Sequence, residues 1–243
     1  MKFPSIKTIS EYIKSHKLFH KQEDSTWTGD LKEDTEVILP KSSVLLQPIV
    51  SAVRSFFRLF FRIEASGMEN IPEGPCFIAP NHESKLDPFL VLSYLDKATL
   101  KNTFSYAKKD HVKSWPRRAL ASYTNVIVMD LSKDLKHSIQ KMAEVVKQGK
   151  KILIFPEGTR TMNGKLGKFH KTYAILSSEL NIPVVPVAIS GAYEAMSSGA
   201  RKIKRGERIS IEFLPPIYPD GMNADELNDL VKHRIVDTIG KKL

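Results

Sequence analysis

The sequence predicts an α/β fold in which a largely parallel central sheet is flanked by helices, preceded by a separate amphipathic helical segment. Short apolar runs recur after residue 70, and amphipathic helical patterns separate several of them. Strands bounded by such helices form largely parallel sheets. The third observation is an unusually apolar stretch before residue 65. We therefore divide the chain into an amino-terminal helical segment, residues 1–65, and an α/β domain, residues 66–243.

Composition and charge limit the classes of partner. The chain has 243 residues, 42% hydrophobic and 26% charged, which is ordinary for a globular protein able to bury a substantial core. The net charge of +10 attracts polyanions and leaves nucleic acid, an anionic membrane or an acidic protein or ligand open. Cys76 is the only cysteine, so no disulfide framework is possible. The amino-terminal stretch "MKFPSIKTISEYIK" lacks the apolar core of a secretory signal, which favours the cytoplasmic side.

The amino-terminal segment contains two helical patterns and a connector. Residues 3–19 carry apolar side chains at helical spacing, and the polar stretch 21–36 separates them from the second pattern. The second pattern, "IVSAVRSFFRLFFRI" (49–63), has few polar residues, and on a helix they occupy an arc of about 100°. These residues are Ser51, Arg54, Ser55, Arg58 and Arg62. Pro48 would stand in its first turn or kink a longer helix.

This second helix is expected to lie in a membrane interface. Its fifteen residues reach only ~22 Å, short of a ~30 Å hydrocarbon core, and its arginines make a bilayer span costly. A helix in the interface plane would bury its phenylalanines and hold its arginines at the headgroups. The alternative is a helix packed into the protein's own core. The predicted interface residues are Arg54, Phe56, Phe57, Arg58, Phe60, Phe61 and Arg62.

The α/β domain begins near residue 70. Three stretches with apolar residues three or four positions apart predict helices, at 132–149, 167–180 and 223–240, the first with Ser132 as its N-cap and Gly149 at its end. The strand candidates are "CFIAP" (76–80), "NTFSYA" (102–107), "NVIVM" (125–129), "KILIF" (151–155), "PVVPVAI" (183–189) and "ISIEFL" (209–214).

A histidine and an aspartate follow the first of these strands, in "NHESKLDPF" (81–89). Five residues turn a helix by about 140° beyond one full turn, and an odd separation on a strand gives opposite faces. His82 and Asp87 can therefore meet only across a bend. We expect His82 in the loop after the strand, with Asp87 as the N-cap and Pro88 as the first residue of a following helix.

A second motif, "FPEGTR" (155–160), ends another apolar strand. Gly158 permits close approach of backbone N–H groups to a ligand, and the Arg160 guanidinium suits a phosphate. Ligands of open α/β sheets bind beyond the carboxyl ends of the strands, so both motifs are expected on one edge. Each motif alone has an ordinary explanation, as a surface histidine, a helix cap or a turn. Their conjunction predicts a base beside an anion-binding site.

These residues carry a resemblance to the glycerolipid acyltransferases. "NHESKLD" resembles the family's Asn-His-x4-Asp block, "FPEGTR" its phosphate-binding block, and "VPVAISG" (185–191) a later block. "AKKDHVKSWP" (107–116) is similar to a fourth block. The likeness covers about residues 65–215 and is strongest to the bacterial 1-acylglycerol-3-phosphate acyltransferases. The chain departs in "NVIVMDL" (125–131), where Asn125 and Leu131 stand in place of the Gly and Arg that the family often has.

The resemblance implies direct transfer of an acyl group from a thioester to the sn-2 hydroxyl of lysophosphatidic acid. His82 would be the general base, Asp87 would orient it, and no acyl-enzyme would form, since the chain lacks a G-x-S-x-G elbow. No cofactor is expected, because the acyl donor is a co-substrate carried by coenzyme A or acyl carrier protein. No metal is expected either, because the histidines show no paired ligand spacing. The predicted phosphate-binding residues are Glu157, Gly158, Thr159, Arg160 and Lys109.

The resemblance places such an enzyme at the cytoplasmic face of the cell membrane as a peripheral protein on anionic lipid. The basic run "ARKIKRGER" (200–208) would meet anionic lipid or acyl carrier protein, or is simply a solvated loop. Glycerol-3-phosphate is the alternative acceptor, and a non-catalytic lipid-binding protein is the alternative from another class. Nucleic-acid binding is not expected, because the aromatic residues cluster in apolar stripes rather than among basic residues.

Overall fold

The computed structural model describes residues 46–108, 125–129, 135–200 and 202–241. The predictions for residues 3–19 and 21–36, for Lys109 and for Ser132 lie outside these ranges. The strands are β1 Arg62–Ser66, β2 Phe77–Pro80, β3 Thr103–Lys108, β4 Val126–Met129, β5 Lys151–Leu153, β6 Val184–Ser190 and β7 Arg208–Phe213. The helices are α1 Leu46–Phe60, α2 Asp87–Tyr94, α3 Lys97–Lys101, α4 Leu135–Lys147, α5 Thr172–Leu180, α6 Ala192–Ala195 and α7 Ala224–Gly240.

The strands form one sheet in the order β1-β7-β6-β2-β5-β3-β4. All neighbouring strands are parallel except β6 and β7, which run antiparallel. The carboxyl ends of β2, β5 and β6 therefore share one edge with the amino ends of β7 and β1. The largely parallel sheet predicted from the alternation of apolar runs and helical patterns is confirmed.

Helices cover both faces of the sheet. In β2, Phe77 and Ala79 belong to one apolar cluster and Ile78 to the other, as the alternation of side chains along a strand requires. The first cluster contains side chains of α4, α5 and α7, and the second contains side chains of α1 and α2. Burial on both faces explains why the central strands are continuously apolar rather than alternating.

Helix α1 packs on the protein's own core more than was expected. Phe57 and Phe61 are almost completely buried in the second cluster, so the prediction that they face lipid is wrong. Arg54 was predicted at the headgroups, but its guanidinium donates to the carbonyls of Ser93 and Leu95 at the end of α2. A cation there satisfies carbonyls that the helix leaves free and complements its dipole. Phe56 and Leu59 remain exposed.

The helix also ends earlier than its pattern suggested. It stops at Phe60, and Arg62 begins strand β1, which pairs with β7 over five residues. Arg62 is exposed on this edge strand. The predicted boundary between residues 65 and 66 therefore falls inside a strand of the sheet, and residues 46–65 belong to the α/β domain. Within the described ranges, no helix is both long enough and apolar enough to cross a bilayer.

The carboxyl-terminal helices follow their sequence patterns with shifted starts. Helix α5 begins at Thr172, five residues later than predicted from position 167, because residues 167–171 complete the loop after β5. Helix α7 begins after Asn223, whose side chain accepts from the N–H groups of Asp225 and Glu226. The Glu226 carboxylate accepts from the Asn223 N–H in return, which completes a capping box.

Candidate active site

The two sequence motifs meet at the carboxyl edge of the sheet, as predicted. Strands β2 and β5 are parallel neighbours, and residues 81–86 and 154–161 follow them. The His82 N–H donates to Oε1 of Glu157 at 2.7 Å, and the Thr161 N–H donates to the His82 carbonyl at 2.9 Å. These two bonds hold the loop after β2 against the loop after β5.

His82 and Asp87 form a hydrogen-bonded pair across the predicted bend. Nδ1 of His82 lies 2.8 Å from Oδ2 of Asp87, and the same oxygen accepts from the N–H groups of Glu83 and Ser84 at 2.6 and 2.7 Å. Asp87 was expected to be an N-cap, but Leu86 holds that position and the Asp87 side chain turns back toward the preceding loop. The carboxylate therefore fixes the loop as well as the imidazole.

Burial governs the electrostatics of this pair. Asp87 is fully buried, and desolvation raises its pKa, while the hydrogen bond and charge of His82 act in the opposite direction. The imidazole is 15% exposed and stacks on Phe155 with 4.1 Å between ring centroids. With Asp87 ionised, Nδ1 carries a proton and donates it to the carboxylate, which leaves the Nε2 lone pair free to act as a base.

Glu157 does not have the geometry of a phosphate ligand. Its second carboxylate oxygen accepts from the Gly167 N–H at 2.7 Å, so both oxygens bind backbone groups of the site. Burial raises the pKa of Glu157, and the N–H bonds from His82 and Gly167 oppose this rise. A carboxylate also repels an anionic phosphate. The predicted phosphate-binding role of Glu157 is therefore replaced by a bracing role between two loops.

The remaining members of the second motif surround a tight turn. The Gly158 N–H donates to the Phe155 carbonyl at 3.0 Å, so this amide closes the turn and is not free for a ligand. Gly158 has a φ of 64°, which explains a glycine here. Thr159 is exposed. Nη1 of Arg160 is buried and has no hydrogen-bond partner among the described residues.

A cavity of about 210 Å³ opens beside His82. Its lining includes the polar residues Asn81, His82, Glu83, Glu157 and Thr161 and an apolar wall of Leu166, Val236 and Ile239, the last two from the end of α7. The sequence pointed to no role for α7 here, since helical spacing does not reveal which side chains reach a distant loop. A cavity lined by both polar and apolar side chains suits an amphipathic ligand.

Polar residues that the sequence reasoning missed join the His82 loop to the end of β6. The Asn81 side chain donates to the Ile189 carbonyl at 2.9 Å and accepts from the Ile189 N–H at 2.7 Å. The Ser84 hydroxyl donates to the Met196 carbonyl at 2.7 Å. Both residues lie inside the "NHESKLD" motif, but their partners are more than a hundred positions away in the sequence. Within the described part of the chain, no cluster of three or more His, Cys, Asp or Glu side chains could hold a metal ion.

Comparison with known proteins identifies the family of the chain. The Acyltransferase family model matches residues 62–190, a range that includes both motifs. The chain is 28% identical over 185 residues to 1-acyl-sn-glycerol-3-phosphate acyltransferase BAT2, chloroplastic, of Brassica napus, which covers 74% of the chain and 52% of that protein. It is 33% identical over 132 residues to the 1-acyl-sn-glycerol-3-phosphate acyltransferase of Pseudomonas aeruginosa, covering 52% of the chain and 49% of that protein. The chain thus spans about half the length of these relatives.

A solved structure supports the same fold. The crystal structure of the 1-acyl-sn-glycerophosphate acyltransferase PlsC from Thermotoga maritima superposes with a TM-score of 0.67 at 22% sequence identity. The match covers 97% of this chain and 94% of that one. Because the family model matches more than half of the chain and spans the His82–Asp87 pair, the chain belongs to the Acyltransferase family.

Proposed function

We propose that the protein transfers a fatty acyl group from a thioester to the sn-2 hydroxyl of lysophosphatidic acid, which yields phosphatidic acid. The observation that carries this proposal is the hydrogen bond between Asp87 and His82, a residue that lines the cavity. The identity of the acceptor is inferred from the relatives, which are named 1-acyl-sn-glycerol-3-phosphate acyltransferases. The donor is an acyl thioester of coenzyme A or of acyl carrier protein. It is a co-substrate, and the proposed reaction uses no cofactor.

In the proposed mechanism His82 acts as a general base. Nε2 of His82 takes the proton of the acceptor hydroxyl while its oxygen attacks the thioester carbonyl carbon. The tetrahedral intermediate then expels the thiolate, which receives the proton from the imidazolium. The Asp87 carboxylate holds the ring by Nδ1 and stabilises its charged form between these two proton transfers. The acyl group thus passes directly to the acceptor oxygen.

A direct transfer agrees with the state of the possible nucleophiles. Cys76 is fully buried, and burial raises the pKa of its thiol to about 12, so it supplies no thiolate at neutral pH. The Ser84 hydroxyl lies near the pair in sequence, but it donates to the Met196 carbonyl. The acceptor hydroxyl is therefore the nucleophile that His82 activates.

Arg160 is the proposed ligand of the acceptor phosphate. Nη1 of Arg160 has no partner among the residues that the structure describes, and this supports the role, because a buried donor without a partner costs about 1–3 kcal/mol that an anion would recover. Thr159 in the same turn, and Lys109 outside the described residues, complete the proposed phosphate site. Arg160→Ala is expected to raise KM for the phosphate acceptor about tenfold or more, and Arg160→Lys to restore only part of the loss.

We place the protein on the cytoplasmic face of the cell membrane, as a peripheral enzyme whose sheet edge with the active site faces anionic lipid. Phe56 and Leu59 are 40% and 67% exposed on α1. The loop before β7, at the edge shared with the site, bonds to this helix through the Gly206 N–H and the Phe60 carbonyl. The Arg205 guanidinium lies over the Phe60 ring. Apolar side chains beside cations are typical of an interface contact.

The test of the reaction uses purified full-length protein in detergent with lysophosphatidate and an acyl thioester. His82→Ala is expected to abolish turnover, whereas His233→Ala, which removes an exposed histidine from α7, should leave it unchanged. Equal background rates for wild type and His82→Ala would refute the enzyme hypothesis. Glycerol-3-phosphate in place of lysophosphatidate tests the alternative acceptor, and donors on coenzyme A and on acyl carrier protein are compared in the same assay.

The test of membrane attachment uses point variants, because α1 contributes buried side chains to the core and cannot be deleted without damage to the fold. Phe56→Glu with Leu59→Glu is expected to release the protein from vesicles that contain anionic phospholipid. Tyr218→Glu is the control, since Tyr218 is 50% exposed and follows Ile217, which pairs with the amino end of β6 at the opposite edge. Equal retention of both variants would exclude this helix face as the attachment surface.

A further inference from the structure

Glu83 is a buried carboxylate that the proposed mechanism does not use. It lies between His82 and Ser84 and is 8% exposed. Its Oε2 accepts from the N–H groups of Ala192 and Tyr193 at 3.1 and 3.2 Å, at the start of α6. The residue beside the proposed base is thus bonded to the segment that follows β6.

Tyr193 continues this connection toward the cavity. Its hydroxyl donates to the Met162 carbonyl at 3.0 Å, and its ring lies against Gly164, where an added Cβ would come within 3.3 Å of the ring. Gly164, Lys165 and Leu166 line the cavity that contains His82. The N–H of Thr161, one residue before Met162, donates to the carbonyl of His82, the neighbour of Glu83. The contacts therefore form a closed ring that begins and ends in the loop after β2.

We propose that Glu83 and Tyr193 form a clamp that positions the cavity wall at residues 162–166 relative to His82. The proposal rests on the proposed function for its kinetic consequences, but the contacts exist independently of the substrate. The clamp joins the loop after β2, which contains Glu83, to the segment after β6, which contains Tyr193, and to residues 162–166 in the loop after β5. Among the described residues, the loop after β5 also contacts His82 through the N–H of Thr161, the carboxylate of Glu157 and the ring of Phe155.

A glutamine should preserve this clamp at neutral pH. Burial, followed by the nearby Asp87 and Glu194 carboxylates, raises the pKa of Glu83 to about 8, so the side chain is largely protonated there. Glutamine has the same shape, is uncharged and keeps an oxygen that accepts from both N–H groups. Alanine removes the acceptor and leaves the two amides of α6 without it.

Limited proteolysis tests the clamp without reference to turnover. Trypsin cleaves after Lys165, which lies in the clamped wall and is exposed. Glu83→Ala and Tyr193→Phe are expected to speed cleavage there by about tenfold, because a lost hydrogen bond of this kind shifts local opening by roughly that factor. Glu83→Gln should stay within about twofold of wild type. Glu64→Ala, which removes an exposed carboxylate from edge strand β1, is the control.

Kinetics separate positioning from general stability. Glu83→Ala is expected to raise KM for the lipid acceptor about tenfold with a smaller change in kcat, and Glu83→Gln to restore it. In a double-mutant cycle, Tyr193→Phe should add little to Glu83→Ala, since both act through one chain of contacts.

Unchanged cleavage after Lys165 in Glu83→Ala would overturn the clamp, as would fully additive effects of the two substitutions. If wild type shows no turnover, the proposed function fails, and the cleavage rates still decide the clamp.

Discussion

Asp87→Asn gives the sharpest separation of catalysis from folding in this protein. Oδ2 of Asp87 receives three donors, whereas Oδ1 is buried without a partner among the described residues. Asparagine would keep its oxygen at the first position and place its NH₂ at the second. The unsatisfied NH₂ costs about 1–3 kcal/mol, and removal of a buried charge offsets part of this cost. The free energy of unfolding should therefore change by less than ~2 kcal/mol.

The effect on rate should be much larger. A neutral amide oxygen still accepts from Nδ1–H of His82, but it cannot stabilise the charge of the imidazolium that forms when His82 takes the acceptor proton. We expect kcat to fall about a thousandfold, which corresponds to ~4 kcal/mol of transition-state stabilisation.

The assay measures kcat and KM with lysophosphatidate and an acyl thioester, together with urea unfolding of the same preparations. Asp220→Asn is the matched control, because Asp220 is exposed and has a φ of 38° that asparagine tolerates. A stably folded Asp87→Asn protein with kcat within about threefold of wild type would refute the assigned role of the carboxylate.

Three further predictions concern the stability of the protein and its preference for the length of the acyl chain. The pKa of Glu83 is raised to about 8 from its ordinary value near 4.5, so between these pH values the folded protein keeps a proton that the unfolded chain has lost. The unfolding free energy of wild type should therefore fall from pH 5 to 8 relative to that of Glu83→Gln, by at most ~1.4 kcal/mol per pH unit. Urea titration of both proteins measures this difference. If the acyl chain of the donor lies in the cavity, Ile239→Trp should narrow the cavity and lower kcat/KM for a palmitoyl thioester relative to that for an octanoyl thioester. An unchanged ratio of the two kcat/KM values would place the acyl chain elsewhere. Gly191→Ala should lower the unfolding free energy by ~3 kcal/mol or more, because its Cβ would lie 2.0 Å from the Arg208 carbonyl oxygen at a φ of 83°. Gly199→Ala, where the Cβ would have no neighbour within 4 Å among the described residues, should change the unfolding free energy little; calorimetry of both variants measures the difference.

Local patterns were sufficient for much of the fold. The apolar run at 183–189 became β6, and the pattern at 223–240 became α7 with its cap at Asn223, because strand and helix formation depend mainly on neighbours in sequence. The contact between His82 and Asp87 was also predictable, since a bend within five residues allows few other arrangements. The shared edge of the two motifs followed from the parallel sheet.

Contacts between distant segments required the tertiary structure. The phenylalanine-rich pattern of α1 is equally suited to lipid and to a protein core, and only packing against α2 and the sheet buries Phe57 while Phe56 stays exposed. From the sequence, the carboxylate of "FPEGTR" was predicted to belong to a phosphate site. In the structure both oxygens of Glu157 accept hydrogen bonds from the N–H groups of His82 and Gly167.

The sequence by itself predicted the pair that we propose carries the chemistry, because His82 and Asp87 lie within one local turn. The tertiary structure decided what surrounds them: the α7 wall of the cavity, the bracing Glu157 and the link from Glu83 to Tyr193. These depend on which loops a seven-stranded sheet brings together, and strand order is set by the packing of the whole chain rather than by any short segment.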